Sequence, residues 1–151
     1  MTTNIKASLG LLLAVLLAGA FAVASSAAST SPRSGELHVT KECSQYFGQA
    51  GQFCTITSSN LNAIRPGRNV VYASAAGATS LNSDLVLDGP GNNNANGHVT
   101  LNFLTATGIV TFSGGTGQYS GFHANVVVTY NPTDGLWHWD GTYSFTPPGH
   151  D

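Results

Sequence analysis

Two stretches near the C-terminal end alternate apolar and polar side chains so regularly that they leave this chain little choice but a β-sheet. From Leu136 onward, Trp137, Trp139, Tyr143 and Phe145 share one face with Gly141, while Leu136, His138, Asp140, Thr142 and Ser144 share the other. A period of two marks a strand with one face buried. Just upstream, Phe122, Ala124, Val126, Val128 and Tyr130 oppose His123, Asn125, Val127 and Thr129. Between the two lies Asn131-Pro132-Thr133-Asp134-Gly135, a turn sequence, so the pair is read as an antiparallel hairpin. Aromatic positions matched across it would hold the register.

The same pattern runs back through the chain. Strands are expected over Glu36 to Glu42, Phe53 to Ser58, Asn69 to Ser74, Asp84 to Asp88, His98 to Leu104 and Ile109 to Phe112, all rich in Val, Thr, Phe and Tyr. Turn signals separate them, among them Arg65-Pro66-Gly67, Gly89-Pro90-Gly91 and Gly114-Gly115-Thr116-Gly117. Gly89 to Gly97 (GPGNNNANG) is low in complexity and is read as a flexible connection. No stretch has helical periodicity. About eight short strands at this spacing predict an all-β domain, a sandwich or a closed antiparallel barrel.

The N-terminus carries a different signal. Lys6 precedes the apolar run Leu9 to Val23, and small residues at Ala22, Ala24, Ser25, Ala27 and Ala28 offer cleavage after Ala24 or Ala27. The run is shorter than the roughly 20 residues of a membrane-spanning helix. Residues 1–27 therefore read as a cleavable secretory signal, 28–34 as a lead-in, and 35–147 as one barrel-sized domain met outside the cytoplasm, secreted or periplasmic. No membrane span is expected after cleavage.

Charge narrows the partners. The chain has 5 Lys+Arg and 7 Asp+Glu, and only 8% of its residues are charged. Without Lys6 the working domain is acidic, with no basic stripe for a phosphate backbone, so no nucleic-acid partner is expected. Cys43 and Cys54 are the only cysteines. In an oxidising compartment two thiols this close in sequence are expected to pair. Their spacing is not C-x-x-C, and no further thiol exists to complete a metal or redox site.

The segment Thr111-Phe112-Ser113-Gly114-Gly115-Thr116-Gly117-Gln118-Tyr119-Ser120-Gly121 reads as strand, glycine turn, aromatic, glycine, strand. With no following Lys it is not a phosphate cradle. It resembles the GG-[TS]-G-x-[FY]-x-G turn of the allene oxide cyclase/dirigent superfamily, with Gly114, Gly115, Gly117 and Gly121 as its structural glycines. Glu36-Leu37-His38-Val39 is similar to that family's first strand and Gly51-Gln52-Phe53-Cys54 to its second. The WHWDGTYSF ending resembles a bacterial exported subgroup. The resemblance implies a single eight-stranded antiparallel barrel with an apolar central cavity, used in some members to fold or orient a hydrophobic substrate. Cyclases of the family place a carboxylate late in the first strand. Here Lys41 falls at that place, and Glu42, the candidate acid, lies one residue further, on the opposite face unless a bulge intervenes.

Tyr72, Phe112, Tyr130, Trp137, Trp139 and Tyr143 are the residues expected to line a ligand cavity, against the alternative that they are barrel core. His138 and Asp140, with His123 and Asn125, could supply nitrogen and oxygen metal ligands, but they suit a solvated exterior better; no metal and no cofactor is expected. No nucleophile elbow and no opposed carboxylate pair is present. Asn131-Pro132-Thr133 is no glycosylation site because of its proline. The function expected is binding of a small hydrophobic or aromatic ligand. The alternatives are a structural or interaction protein of the cell exterior with a filled barrel, and a cyclase or dirigent-type guide of a hydrophobic substrate. No oligomerisation motif is legible.

Overall fold

Eight strands follow one another along the chain: β1 (Ser34–Glu42), β2 (Phe53–Ser59), β3 (Asn69–Tyr72), β4 (Ser80–Asp88), β5 (Asn94–Asn102), β6 (Thr107–Gly115), β7 (Phe122–Asn131) and β8 (Leu136–Phe145). The structure is a computed structural model and describes residues 33–146. The signal-peptide reading and all of the lead-in before Arg33 lie outside the described residues. Each strand pairs antiparallel with the next. β1 also pairs with β8, from Ser34↔Ser144 to Lys41↔Trp137, closing the barrel. Closure leaves no unpaired edge for another chain to add to.

The hairpin of β7 and β8 forms as the alternation predicts, with Val128 opposite Trp139 and Tyr130 opposite Trp137. Inward side chains from every strand build one core, including Leu37 and Val39, Ile56, Val70, Leu85 and Leu87, Val99, Val110, Phe122, Val126 and Trp139. Among the described residues no helix is long and apolar enough to cross a membrane.

Strand limits differ from the expected ones where composition is polar or glycine-rich. β4 begins at Ser80, four residues early, because Ser80 to Ser83 pair with Val99 to Asn102. The Asn-rich segment is a strand from Asn94 on, not a loop. Ala95 is buried while Asn96 faces out, so an alternation of small and polar residues was hidden in a low-complexity run. Only Gly89 to Asn93 remain as the connection.

That connection clasps the glycine motif. Thr116 donates through Oγ1 to the Asn92 carbonyl at 2.6 Å. The Thr116 amide donates to the Asn94 carbonyl at 2.8 Å, and the Gln118 amide to Asn93 Oδ1 at 2.8 Å. Gly114 and Gly115 are the last residues of β6, Gly117 opens a single 3-10 turn (Gly117–Tyr119), and Gly121 precedes β7. Gly117 has φ +57°, and a Cβ there would collide with Asn93 Oδ1. Glycine is what lets the two loops lie against each other.

A bulge in β2 matters for the site. Thr40 pairs with Ser58 but Lys41 with Ile56, so Thr57 is the extra residue. Thr57 and Ser58 both face outward, each 2.6 Å from Thr40 Oγ1. β1 itself keeps strict alternation, with Leu37, Val39 and Lys41 inward.

Candidate functional site

The two ends of the barrel are built differently. At the end holding the β2–β3, β4–β5 and β6–β7 connections, Leu61, Ile64 and Tyr119 are buried. Tyr119 donates its hydroxyl to the Ala63 carbonyl at 2.6 Å, tying two connections together across that end. Above them lies an aromatic stack. Phe122 sits 5.4 Å from Phe112, 5.7 Å from Tyr119 and 5.2 Å from Phe145, ring centre to ring centre. This half of the barrel is packed as a core.

The opposite end, where β1–β2, β3–β4, β5–β6 and β7–β8 turn, carries the disulfide and a buried charge. Cys43 and Cys54 are bonded, as expected for an oxidising compartment. Phe47, Leu104 and Tyr130 stand exposed around this end. Just inside them is Lys41, 4% exposed, the one charged residue buried among the described residues.

Alternation along β1 is what sends Lys41 inward. Its ammonium donates to Tyr72 Oη at 2.7 Å, and Tyr72 Oη donates onward to Cys54 Sγ at 3.6 Å. The nitrogen lies 5.4 Å from the Tyr72 ring centre, 5.5 Å from that of Trp139 and 5.8 Å from that of Trp137. No carboxylate pairs with it among the described residues. Burial therefore pulls the ammonium from the ordinary lysine value of 10.5 down to about 7. The three ring faces attract the charged form and oppose part of that drop. Burial raises the Tyr72 and Tyr46 hydroxyls in turn. Two further polar groups here lack hydrogen-bond partners among the described residues, the Trp139 indole N–H and the Tyr46 hydroxyl, whose ring is 4.9 Å from that of Tyr72.

The six expected lining residues divide between the two halves. Tyr72, Trp137 and Trp139 surround Lys41, and Tyr130 lies at the rim, 5.2 Å from the Trp137 ring. Phe112 is in the lower stack, 5.7 Å from Trp139, and Tyr143 is beside Phe145 at 6.0 Å. Glu42 does not reach the interior, since the bulge is in β2 and leaves the alternation of β1 intact. Its carboxylate accepts from the Ser44 amide at 2.8 Å, and Ser44 holds it below the usual glutamate range. Sequence reasoning laid Lys41 at the place of the family's carboxylate but gave it no role in the site, and it missed Tyr46. Leu37-x-Val39-x-Lys41 was the signal for the lysine. Nothing in the sequence marks Tyr46, which the disulfide loop brings in.

The outer face carries His–Asp pairs at hydrogen-bond distance. His38 and Asp140 are 2.7 Å apart, His98 and Asp84 2.8 Å, and His138 and Asp134 2.7 Å. His138 thus binds within its own turn. His123 lies opposite Ser144, far along the strand from Thr129, which is opposite His138. Among the described residues no three His, Cys, Asp or Glu side chains gather as a metal site. No protein-family model, curated protein or solved structure matches the chain.

Proposed function

We propose that the chain is exported and that its barrel binds a small apolar or aromatic molecule at the disulfide-bearing end. The observation that carries this reading is Lys41, a buried lysine with no carboxylate partner among the described residues, walled by Tyr72, Trp137 and Trp139. A core gains nothing from such a residue, because burying an unpaired ammonium costs several kcal/mol. A site gains a polar anchor in an apolar wall, the usual design of a small-molecule pocket. The exposed Phe47, Leu104 and Tyr130 give the same end an apolar rim. Residence outside the cytoplasm is supported by the disulfide and by the leader-like sequence of residues 1–27.

Both tryptophans of the chain flank Lys41, so their fluorescence reports on this end. Titration with a panel of lipophilic compounds should shift that emission and raise the melting temperature. Native mass spectrometry of protein recovered from its own host should find a bound molecule, and the chain should begin at Ser25 or Ala28. Silence in all of these favours the second reading, a structural protein of the cell exterior. The aromatic stack around Phe122, which fills the lower half, is the observation on that side. A guide of the cyclase or dirigent type rests on the resemblance of the GGTG turn. Such a guide would have to work here with an inward lysine where the family's cyclases use an acid.

A further inference from the structure

We propose that Lys41 is a covalent capture site: its amine attacks the carbonyl carbon of an aldehyde or ketone on an apolar or aromatic body and holds it as an imine. The inference rests on the reading of the disulfide end as a binding site and adds the reactive group of the ligand.

Three observations lead to it. The chain contains two lysines, Lys6 in the leader-like segment and Lys41, so the barrel has a single lysine and that one is inside. A lysine kept for solubility or for ion pairing belongs on the surface, and this surface has none. Second, the contacts of the amine take its protons and not its lone pair: it donates to Tyr72 and, more weakly, to Cys43 Sγ at 3.8 Å. One N–H is donated to Tyr72 Oη, whose own proton points to Cys54 Sγ, so the nitrogen lone pair of the neutral amine is not consumed by Tyr72. Third, the indole N–H of Trp139 is buried with no acceptor among the described residues, on a ring 5.5 Å from the amine. A carbonyl oxygen, or the hydroxyl formed from it, is the kind of acceptor that a donor-only group lacks. A desolvated amine among aromatic walls is also the form in which lysine is nucleophilic near neutral pH, in keeping with its lowered proton affinity.

The chemistry balances without a further reagent. The amine nitrogen forms a bond to the carbonyl carbon, and the carbonyl oxygen takes up a proton to give a carbinolamine. Loss of that hydroxyl as water, with the remaining proton leaving nitrogen, gives the imine. The titratable groups facing Lys41 are Tyr72 of β3 and Tyr46 of the disulfide loop, while Glu42 of β1 and His138 of β8 belong to outward positions of neighbouring strands.

The test uses the full chain, 2-naphthaldehyde and cyanoborohydride, which reduces an imine to a stable amine. Peptide mass spectrometry counts Lys41, Lys6 and the α-amine separately. Labelling of Lys41 in the folded protein should be at least tenfold faster at neutral pH than in urea-unfolded protein. It should level off above about pH 8, where an ordinary lysine continues to gain reactivity towards 10.5. Lys41→Met should abolish that adduct. Lys41→Arg, which keeps a cation but cannot form the imine, should abolish it too. 2-Naphthalenemethanol has the same body without the carbonyl and separates the two claims. If the alcohol quenches tryptophan emission but the aldehyde leaves Lys41 unmodified, capture is refuted and binding stands. If neither compound binds or labels, both fall. Labelling that is faster in the unfolded chain also refutes capture.

Discussion

Replacing Lys41 with Met should make this protein more stable, and the gain should depend on pH in a way that only a buried amine explains. Moving the lysine from 10.5 to about 7 corresponds, at 1.36 kcal/mol per pH unit, to about 5 kcal/mol of destabilisation at and below neutral pH. Methionine has a similar length, carries no charge and suits aromatic surroundings. The substitution forfeits the cation–π contacts and the hydrogen bond to Tyr72, together about 2–3 kcal/mol. A net gain of about 2–3 kcal/mol is expected at pH 6, or roughly 10 °C in melting temperature for a domain of this size.

The wild type has the complementary signature. Below about pH 7 the folded and unfolded chains both carry the lysine proton, and stability from this source is flat. Between about 7 and 10.5 only the unfolded chain holds it, so wild-type stability should climb, by about 3 kcal/mol up to pH 9.5. Above about pH 10 the buried Tyr72 and the partly buried Tyr46, which release their protons later when folded, turn the curve down. Lys41→Met should lose the climb and merge with the wild type near pH 9.5. Urea denaturation at a series of pH values, followed by tryptophan emission, measures both curves. A wild type that is flat from pH 7 to 9.5, with a methionine variant less stable at pH 6, would refute the claim that this charge is uncompensated.

The remaining predictions concern the frame around the site. Removing the disulfide as Cys43→Ala with Cys54→Ala should cost about 3 kcal/mol in urea, because it frees a short loop, and should weaken ligand binding by loosening Tyr46 and Tyr72. Gly117→Ala should cost about 1–3 kcal/mol in the same assay, through positive φ and collision with Asn93; Gly91→Ala, with positive φ but open space, should cost less. Asp140→Ala, which breaks the exposed His38 pair, should change stability by less than about 1 kcal/mol. Glu42→Gln should leave both ligand binding and Lys41 labelling unchanged, since its carboxylate is engaged by Ser44 away from the interior; a marked loss of either would place Glu42 in the site.

Much of the barrel was legible because a strand with one buried face writes its geometry into every second residue. The alternation in Phe122 to Tyr130 and Trp137 to Phe145, the turn at Asn131 to Gly135 between them and the cysteine pair each pointed to their observed place without reference to anything distant in the chain, whereas Gly114 and Gly115, read as turn, end β6. The same local rule sent Lys41 inward and Glu42 outward. What no local rule decides is what a residue meets once inside. The six expected lining aromatics are all of one chemical kind, yet closure of β1 on β8 assigns Phe112 and Tyr143 to a packed half and Tyr72, Trp137 and Trp139 to the lysine. The Asn-rich run became a strand because a neighbour supplied its hydrogen bonds, which composition cannot foresee. By itself, then, the sequence determined which faces are buried and which cysteines are near; only the tertiary structure decided that the one lysine of the barrel would stand among aromatic rings with no acid among the described residues to neutralise it, because that depends on strands far apart in the chain meeting around a closed wall.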